Sequence, residues 1–169
     1  MYTIREATHK DWPGIWTIFK DVVSSGDTYP FAPNMTQQEA QEAWLNAPKV
    51  TFVAMLGEDV VATYYLKDNQ PGLGAHVCNA GYMVRKDQRG QGLGASLCKH
   101  SLAAARILGY KAMQYNLVVS TNVGAIGLWK KLGFDIIGTL PKAFCHVKHG
   151  LVDAYIMYQI LENEDVNPV

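Results

Sequence analysis

Residues 88–95 read Gln88-Arg89-Gly90-Gln91-Gly92-Leu93-Gly94-Ala95, and residues 122–134 read Asn122-Val123-Gly124-Ala125-Ile126-Gly127-Leu128-Trp129-Lys130-Lys131-Leu132-Gly133-Phe134. Before the first stretch, Val77–Val84 reads as a mostly apolar strand. From Gly92 to Ile107 the pattern turns helical, with Leu93, Leu97, Ala104 and Leu108 on one face and Gly109 where a C-cap belongs. Glycines in the connecting turn let the main chain bend tightly and bring its N–H groups close to a ligand. The first helical turn adds unpaired N–H groups and a partial positive charge. Together they form an anion site suited to a pyrophosphate.

Three phosphate-binding patterns can be tested against this loop. A P-loop needs a Gly-Lys-Ser/Thr ending, which is absent. The dinucleotide fingerprint fits loosely as Gly90-x-Gly92-x-x-Ala95, but it needs an acid about 20 residues on. No acid occurs before Asp135. The third pattern, Gln/Arg-x-x-Gly-x-Gly/Ala, is present as Arg89-Gly90-Gln91-Gly92-Leu93-Gly94.

Working outward, Tyr2–Ala7 reads as a strand, and Thr8–Asp11 cap a helix through about Val23 with Pro13 in its first turn. Ser24–Pro33 is a loop. Thr36-Gln37-Gln38-Glu39 is a capping box that opens a second helix through Leu45. Val50–Leu56 and Val60–Lys67 flank Gly57-Glu58-Asp59 as a hairpin. Met113–Val119 reads as a buried strand, Val123–Leu132 as a short helix, and Ile136–Leu140 and Leu151–Leu161 as closing strands. Residues 1–161 form one mixed α/β domain, and 162–169 read as a frayed tail.

The chain has 169 residues, of which 49% are hydrophobic and 18% charged. That composition excludes a disordered or fibrous chain. Fifteen basic residues balance fifteen acidic ones, so the surplus that nucleic-acid binding needs is missing. Residues 88–134 nevertheless hold six Lys and Arg side chains and no Asp or Glu. Three cysteines are too few for a disulfide scaffold and point to a reducing compartment. With no signal-peptide core and no apolar run long enough to span a membrane, a cytoplasmic location is expected.

The two quoted stretches, in this order and each in its strand–helix context, resemble the signatures of the GCN5-related N-acetyltransferases (the GNAT superfamily). The second is similar to Asn-x-x-Ala-x-x-Leu-Tyr-x-Lys-x-Gly-Phe, with Trp129 at the Tyr position. The resemblance covers nearly the whole chain. It implies a mixed, mostly antiparallel sheet of about seven strands flanked by four helices, with strands 4 and 5 splayed around acetyl-CoA. Backbone groups of Met83 and Val84 would bond the pantetheine arm, with a Val84 N–H stabilising the oxyanion. N–H groups of Arg89, Gly90, Gln91, Gly92, Leu93, Gly94 and Ala95 would hold the pyrophosphate. Asn122, Ala125 and Trp129 would line the reactive end of the arm. A homodimer is a family precedent.

Two departures from the family pattern bear on chemistry. Trp129 replaces a Tyr whose hydroxyl protonates the departing thiolate, and indole cannot serve as that acid. Asn79 stands where many members place a general-base Glu. His76 is the nearest ionisable residue; Tyr82 and Tyr115 read as core or cleft-lining. Asn79 and Asn116 lie in otherwise apolar strands, where an amide needs partners. Either they pair with backbone groups at the splay, or they hold the substrate.

In placement and mutual spacing Asn79, Asn116 and Asn122 resemble the amides of a branch that acetylates proline-like amino acids such as azetidine-2-carboxylate. Gly26-Asp27-Thr28-Tyr29-Pro30-Phe31, in the loop expected to cover the amine site, also resembles that branch and the phosphinothricin acetyltransferases, which implies substrate contacts for Tyr29 and Phe31. The reading is an acetyl-CoA-dependent transfer to a small, amino-acid-like amine, with no nucleic-acid or membrane partner. The rivals are acetylation of a protein N-terminus or lysine, and a non-catalytic coenzyme A sensor. Cys145, His146 and His149 cluster in an expected loop without a fourth ligand, so no metal is expected.

Overall fold

The structure, a computed structural model, describes residues 2–161; the expected frayed tail lies outside the described residues. Seven strands form a single sheet in the order β1-β2-β3-β4-β5-β7-β6. They are β1 Thr3–Glu6, β2 Val50–Leu56, β3 Asp59–Asp68, β4 Val77–Val84, β5 Ala112–Val119, β6 Asp135–His146 and β7 Gly150–Ile160. Every neighbouring pair is antiparallel except β4 and β5. The helices are α1 Trp12–Ser24, α2 Gln37–Gln41, α3 Leu93–Ile107 and α4 Val123–Lys131. None of the helices described is long and apolar enough to cross a membrane.

The local signals explain most boundaries. Thr36 and Glu39 form the reciprocal capping box at the start of α2, which continues as a π turn over Glu42–Asn46. That turn seats Trp44, fully buried, with its indole N–H donating to Thr63 Oγ1 at 3.1 Å. The buried face of α3 carries Leu93, Leu97, Cys98, Ser101, Leu102 and Ala105. Leu108 falls outside it and is 37% exposed, because the helix has already ended at Ile107.

One expected boundary was too short. β6 runs on through Pro141 to His146, across a register shift between Leu140 and Phe144. A bulge of this kind tolerates proline, whose missing N–H would interrupt a regular ladder. Within it Lys142 adopts φ +52°, and its N–H donates to the Asp153 carboxylate at 2.9 Å. Cys145 and His146 therefore lie on a strand rather than in a loop.

The sheet separates two apolar clusters. One, under α3, contains Cys78, Ala80, Leu97, Cys98, Met113, Tyr115 and Phe134. The other, under α1 and α2, contains Ile15, Phe19, Trp44, Val53, Tyr65 and Met83, with Tyr29 and Phe31 packed against it. Strand alternation thus fixes what each face of β4 presents: even-numbered residues to α3, odd-numbered residues to α1 and α2.

Candidate active site

The site begins where the parallel β4–β5 pairing stops. β4 and β5 are in register at Val77↔Ala112 and Cys78↔Met113 and nowhere beyond. From Asn79 onward the strands diverge, and β5 also shifts register against β7 between Tyr115 and Val118. Arg85 donates its N–H to Val61 O at 2.9 Å. Antiparallel alternation then directs the peptide groups of Met83 toward β3 and those of Tyr82 and Val84 into the gap. Tyr82 therefore takes the gap-facing place expected of Met83, whose side chain is buried under α1.

At the mouth of the gap the glycine loop enters α3. Gly90 and Gly92 have φ of +76° and +81°, and a Cβ at either would meet nothing within 4 Å. The N–H groups of Gly90 through Ala95 have no partner among the described residues; the first bond of the helix is Ser96 N–H to Gly92 O at 3.1 Å. Bare donors facing open space, at the positive end of a fifteen-residue helix, fit a pyrophosphate. Tyr2 Oη donates to Gln88 Oε1 at 2.9 Å, which ties β1 to the loop. Arg89 Nε donates to Val84 O at 3.1 Å.

Helix α4 closes one side. A Cβ on Gly94 would lie 3.6 Å from Leu128, so the two signature segments are neighbours in space. Asn122 caps α4, its Oδ1 accepting from Ala125 N–H at 3.3 Å. The Trp129 ring lies 5.1 Å from that of Tyr82 and 5.2 Å from that of Tyr115, so it stands across the mouth of the splay. Behind it the Tyr82 hydroxyl meets Ser101 Oγ at 2.6 Å and Tyr115 Oη at 3.0 Å. Burial pushes both phenols well above their ordinary pKa, so neither ionises near neutrality.

Residues 5–134 match the model of the acetyltransferase (GNAT) family. The chain belongs to that family. It is 32% identical over 151 residues to the N-acetyltransferase aca1 of Schizosaccharomyces pombe, covering 79% of this chain and 72% of that one. It is equally 32% identical over 148 residues to an L-methionine sulfoximine/L-methionine sulfone acetyltransferase of Pseudomonas aeruginosa, covering 83% and 84%. A GCN5-related N-acetyltransferase from Kribbella flavida superposes with a TM-score of 0.89 at 39% identity, over 94% of this chain and 97% of that one. In fold, a phosphinothricin acetyltransferase from Sinorhizobium meliloti in complex with AcCoA is also similar, with TM-score 0.83 at 20% identity over 99% and 96%.

In this acetyl-CoA-dependent N-acetyltransferase the amides predicted from sequence have separate fates. Asn79 is 6% exposed, accepts from Tyr65 Oη at 3.0 Å and donates to Gln114 O at 2.9 Å. That is a tie across the start of the splay. Asn116 is exposed; it donates to Asn69 Oδ1 at 2.7 Å and accepts from Gln114 Nε2 at 2.9 Å. Lys67 is in register with Asn79, so it shares that face, and its Nζ lies 5.2 Å from the Tyr65 ring centroid. Sequence reading missed Lys67, Asn69 and Gln114, which become neighbours only through pairing.

His76 is exposed and precedes β4 at the end where β4 and β5 are still joined, its carbonyl accepting from Lys111 N–H at 2.8 Å. It is remote from the gap. Tyr29 reaches the gap itself: its hydroxyl donates to Tyr82 O and accepts from Tyr82 N–H, both at 2.7 Å. Phe31 stacks behind it with ring centroids 5.9 Å apart. The β6–β7 turn braces this loop, Val147 N–H donating to Gly26 O at 3.2 Å.

Proposed function

We propose that the enzyme acetylates the amine of a small, amino-acid-like acceptor bearing a carboxylate. The observation that carries this reading is the acceptor face of the splay. Asn69, Gln114 and Asn116 form a chain of amides there, and Lys67 supplies a cation beside Tyr65. Amides offer donors and acceptors to a zwitterion, and an ammonium attracts its carboxylate. The similarity to methionine sulfoximine and phosphinothricin acetyltransferases supports the same class.

In this reading the glycine-loop N–H groups and Arg89 hold the pyrophosphate of acetyl-CoA, and the gap-facing groups of Val84 hold the arm. The Tyr82 N–H takes the role of oxyanion donor, since it is the gap-facing donor one step deeper than Val84. The acyl group comes from the thioester of the cosubstrate. Asn79 cannot accept a proton, so the amine enters neutral or loses its proton to water on the polar acceptor face. Thiolate leaves past Trp129 without a side-chain acid.

Thiol release on mixing acetyl-CoA with methionine sulfoximine, methionine sulfone, azetidine-2-carboxylate and short peptides tests the reading. At least one amino-acid-like acceptor should exceed every peptide by tenfold or more in kcat/KM, about 1.4 kcal/mol. Preferred turnover of a peptide N-terminus or lysine would overturn it.

A further inference from the structure

The Tyr29 hydroxyl makes both hydrogen bonds that a neighbouring strand would make to Tyr82. Strand β5 has already departed at this level, so the hydroxyl stands in for it. The ring is held from behind by Phe31 and by the edge of Trp44, with centroids 5.9 and 5.8 Å away. Its loop follows Gly26, whose φ of +65° and bond from Val147 N–H fix the point where the chain leaves α1. Burial raises the phenol far above its ordinary range, so it is a neutral hydroxyl and not a base.

A single N–H cannot give full hydrogen bonds to two oxygens. An incoming thioester carbonyl and Tyr29 Oη therefore compete for Tyr82 N–H. Resting on the functional reading above, we propose that Tyr29 is a placeholder for the acetyl group: it satisfies the oxyanion donor in the free enzyme and must swing away when acetyl-CoA enters. Because Tyr29 and Phe31 belong to the loop over the acceptor face, the same movement couples cosubstrate binding to the acceptor site. The device keeps a part-buried donor paired between turnovers.

Competition of this kind is specific to the thioester oxygen, and free coenzyme A lacks that oxygen. Tyr29→Phe keeps the ring and removes only the hydroxyl. Calorimetry on the variant should show acetyl-CoA bound about fivefold or more tighter than by wild type, with coenzyme A affinity changed by less than about twofold. Equal tightening of both ligands would mean general loosening of the loop and would overturn the proposal. So would a loss of kcat with unchanged acetyl-CoA affinity, which would place the hydroxyl in the chemistry. Failure of the wild type to bind coenzyme A at all would instead remove the functional reading beneath it. Tyr29→Leu, which removes ring and hydroxyl, should tighten acetyl-CoA likewise; no change in either variant overturns the placeholder.

Discussion

Asn79 Nδ2 donates to the main-chain oxygen of Gln114 at 2.9 Å, one residue beyond Cys78↔Met113, the last pair of the β4–β5 ladder. A side-chain amide thus replaces the backbone bond that the splay forgoes, while its oxygen accepts the buried Tyr65 hydroxyl at 3.0 Å. The amide marks the point at which parallel pairing ends and the cleft opens. Asn79→Ala leaves the buried Tyr65 hydroxyl and the part-buried Gln114 carbonyl without these partners, costing about 2–3 kcal/mol together. Thermal unfolding should fall by roughly 5–10 °C for a chain of this size. An unchanged melting temperature, with acceptor KM raised instead, would mean that Asn79 binds substrate and does not hold the sheet.

Gly92 tests the phosphate loop. At φ of +81° a Cβ would meet nothing within 4 Å, and a side chain there carries left-handed strain of about 1–2 kcal/mol. Gly57, at φ +61° in the β2–β3 turn and equally open, carries comparable strain far from the site. Gly92→Val should weaken acetyl-CoA at least tenfold, about 1.4 kcal/mol, whereas Gly57→Val leaves affinity intact. Equal affinities in calorimetry would remove the loop from the cosubstrate site.

Acid stability should depend on Asp11. The hydrogen-bonded guanidinium of Arg5, 2.7 Å away, holds this carboxyl down at about 2 against burial, with help from Thr8. A pKa lowered on folding stabilises the protein above the unfolded value near 3.8 and loses that stabilisation as pH falls toward 2. Because Arg5 is nearly half exposed, the contribution is discounted to about 1–2 kcal/mol. In Asp11→Asn, unfolding free energy should be lower at pH 6 and lose less between pH 4 and pH 2 than in wild type. Parallel curves for the two proteins would show that the pair does not set acid stability.

What could be read from the chain was whatever is local or carried by a contiguous motif. The Thr36–Glu39 capping box, the Gly57 turn and the glycine entry to α3 each contain their own physical reason, and all three formed where expected. The phase of hydrogen bonding on β4 was not local. It follows from pairing with β3, and a shift of one residue exchanges Met83 for Tyr82 at the gap. The length of β6 was hidden for a similar reason: Pro141 argues against a strand until the partner β7 absorbs it in a bulge. Asn79 and Asn116 looked alike as isolated amides in apolar strands. Only the point at which β4 leaves β5 makes one a buried tie and the other an exposed link to Asn69.

Trp129 decides whether the thiolate needs an acid. Its indole packs against Tyr82 and Tyr115 at the mouth of the splay, and its N–H makes no hydrogen bond among the described residues. An indole N–H can donate but cannot release a proton near neutral pH. Trp129→Phe keeps the aromatic wall and removes that donor, so kcat should stay within about threefold, less than 1 kcal/mol, with the pH profile unchanged. Trp129→Ala opens the wall beside the arm, and acetyl-CoA affinity should fall several-fold, about 1 kcal/mol for a half-buried ring. Trp129→Tyr supplies the missing hydroxyl at the same place. If thiolate expulsion is already fast, the phenol adds no new limb to the pH profile and leaves kcat near wild type. A tenfold rise in kcat with a new basic limb would show that leaving-group protonation limits the native enzyme, and that the tryptophan slows its own reaction.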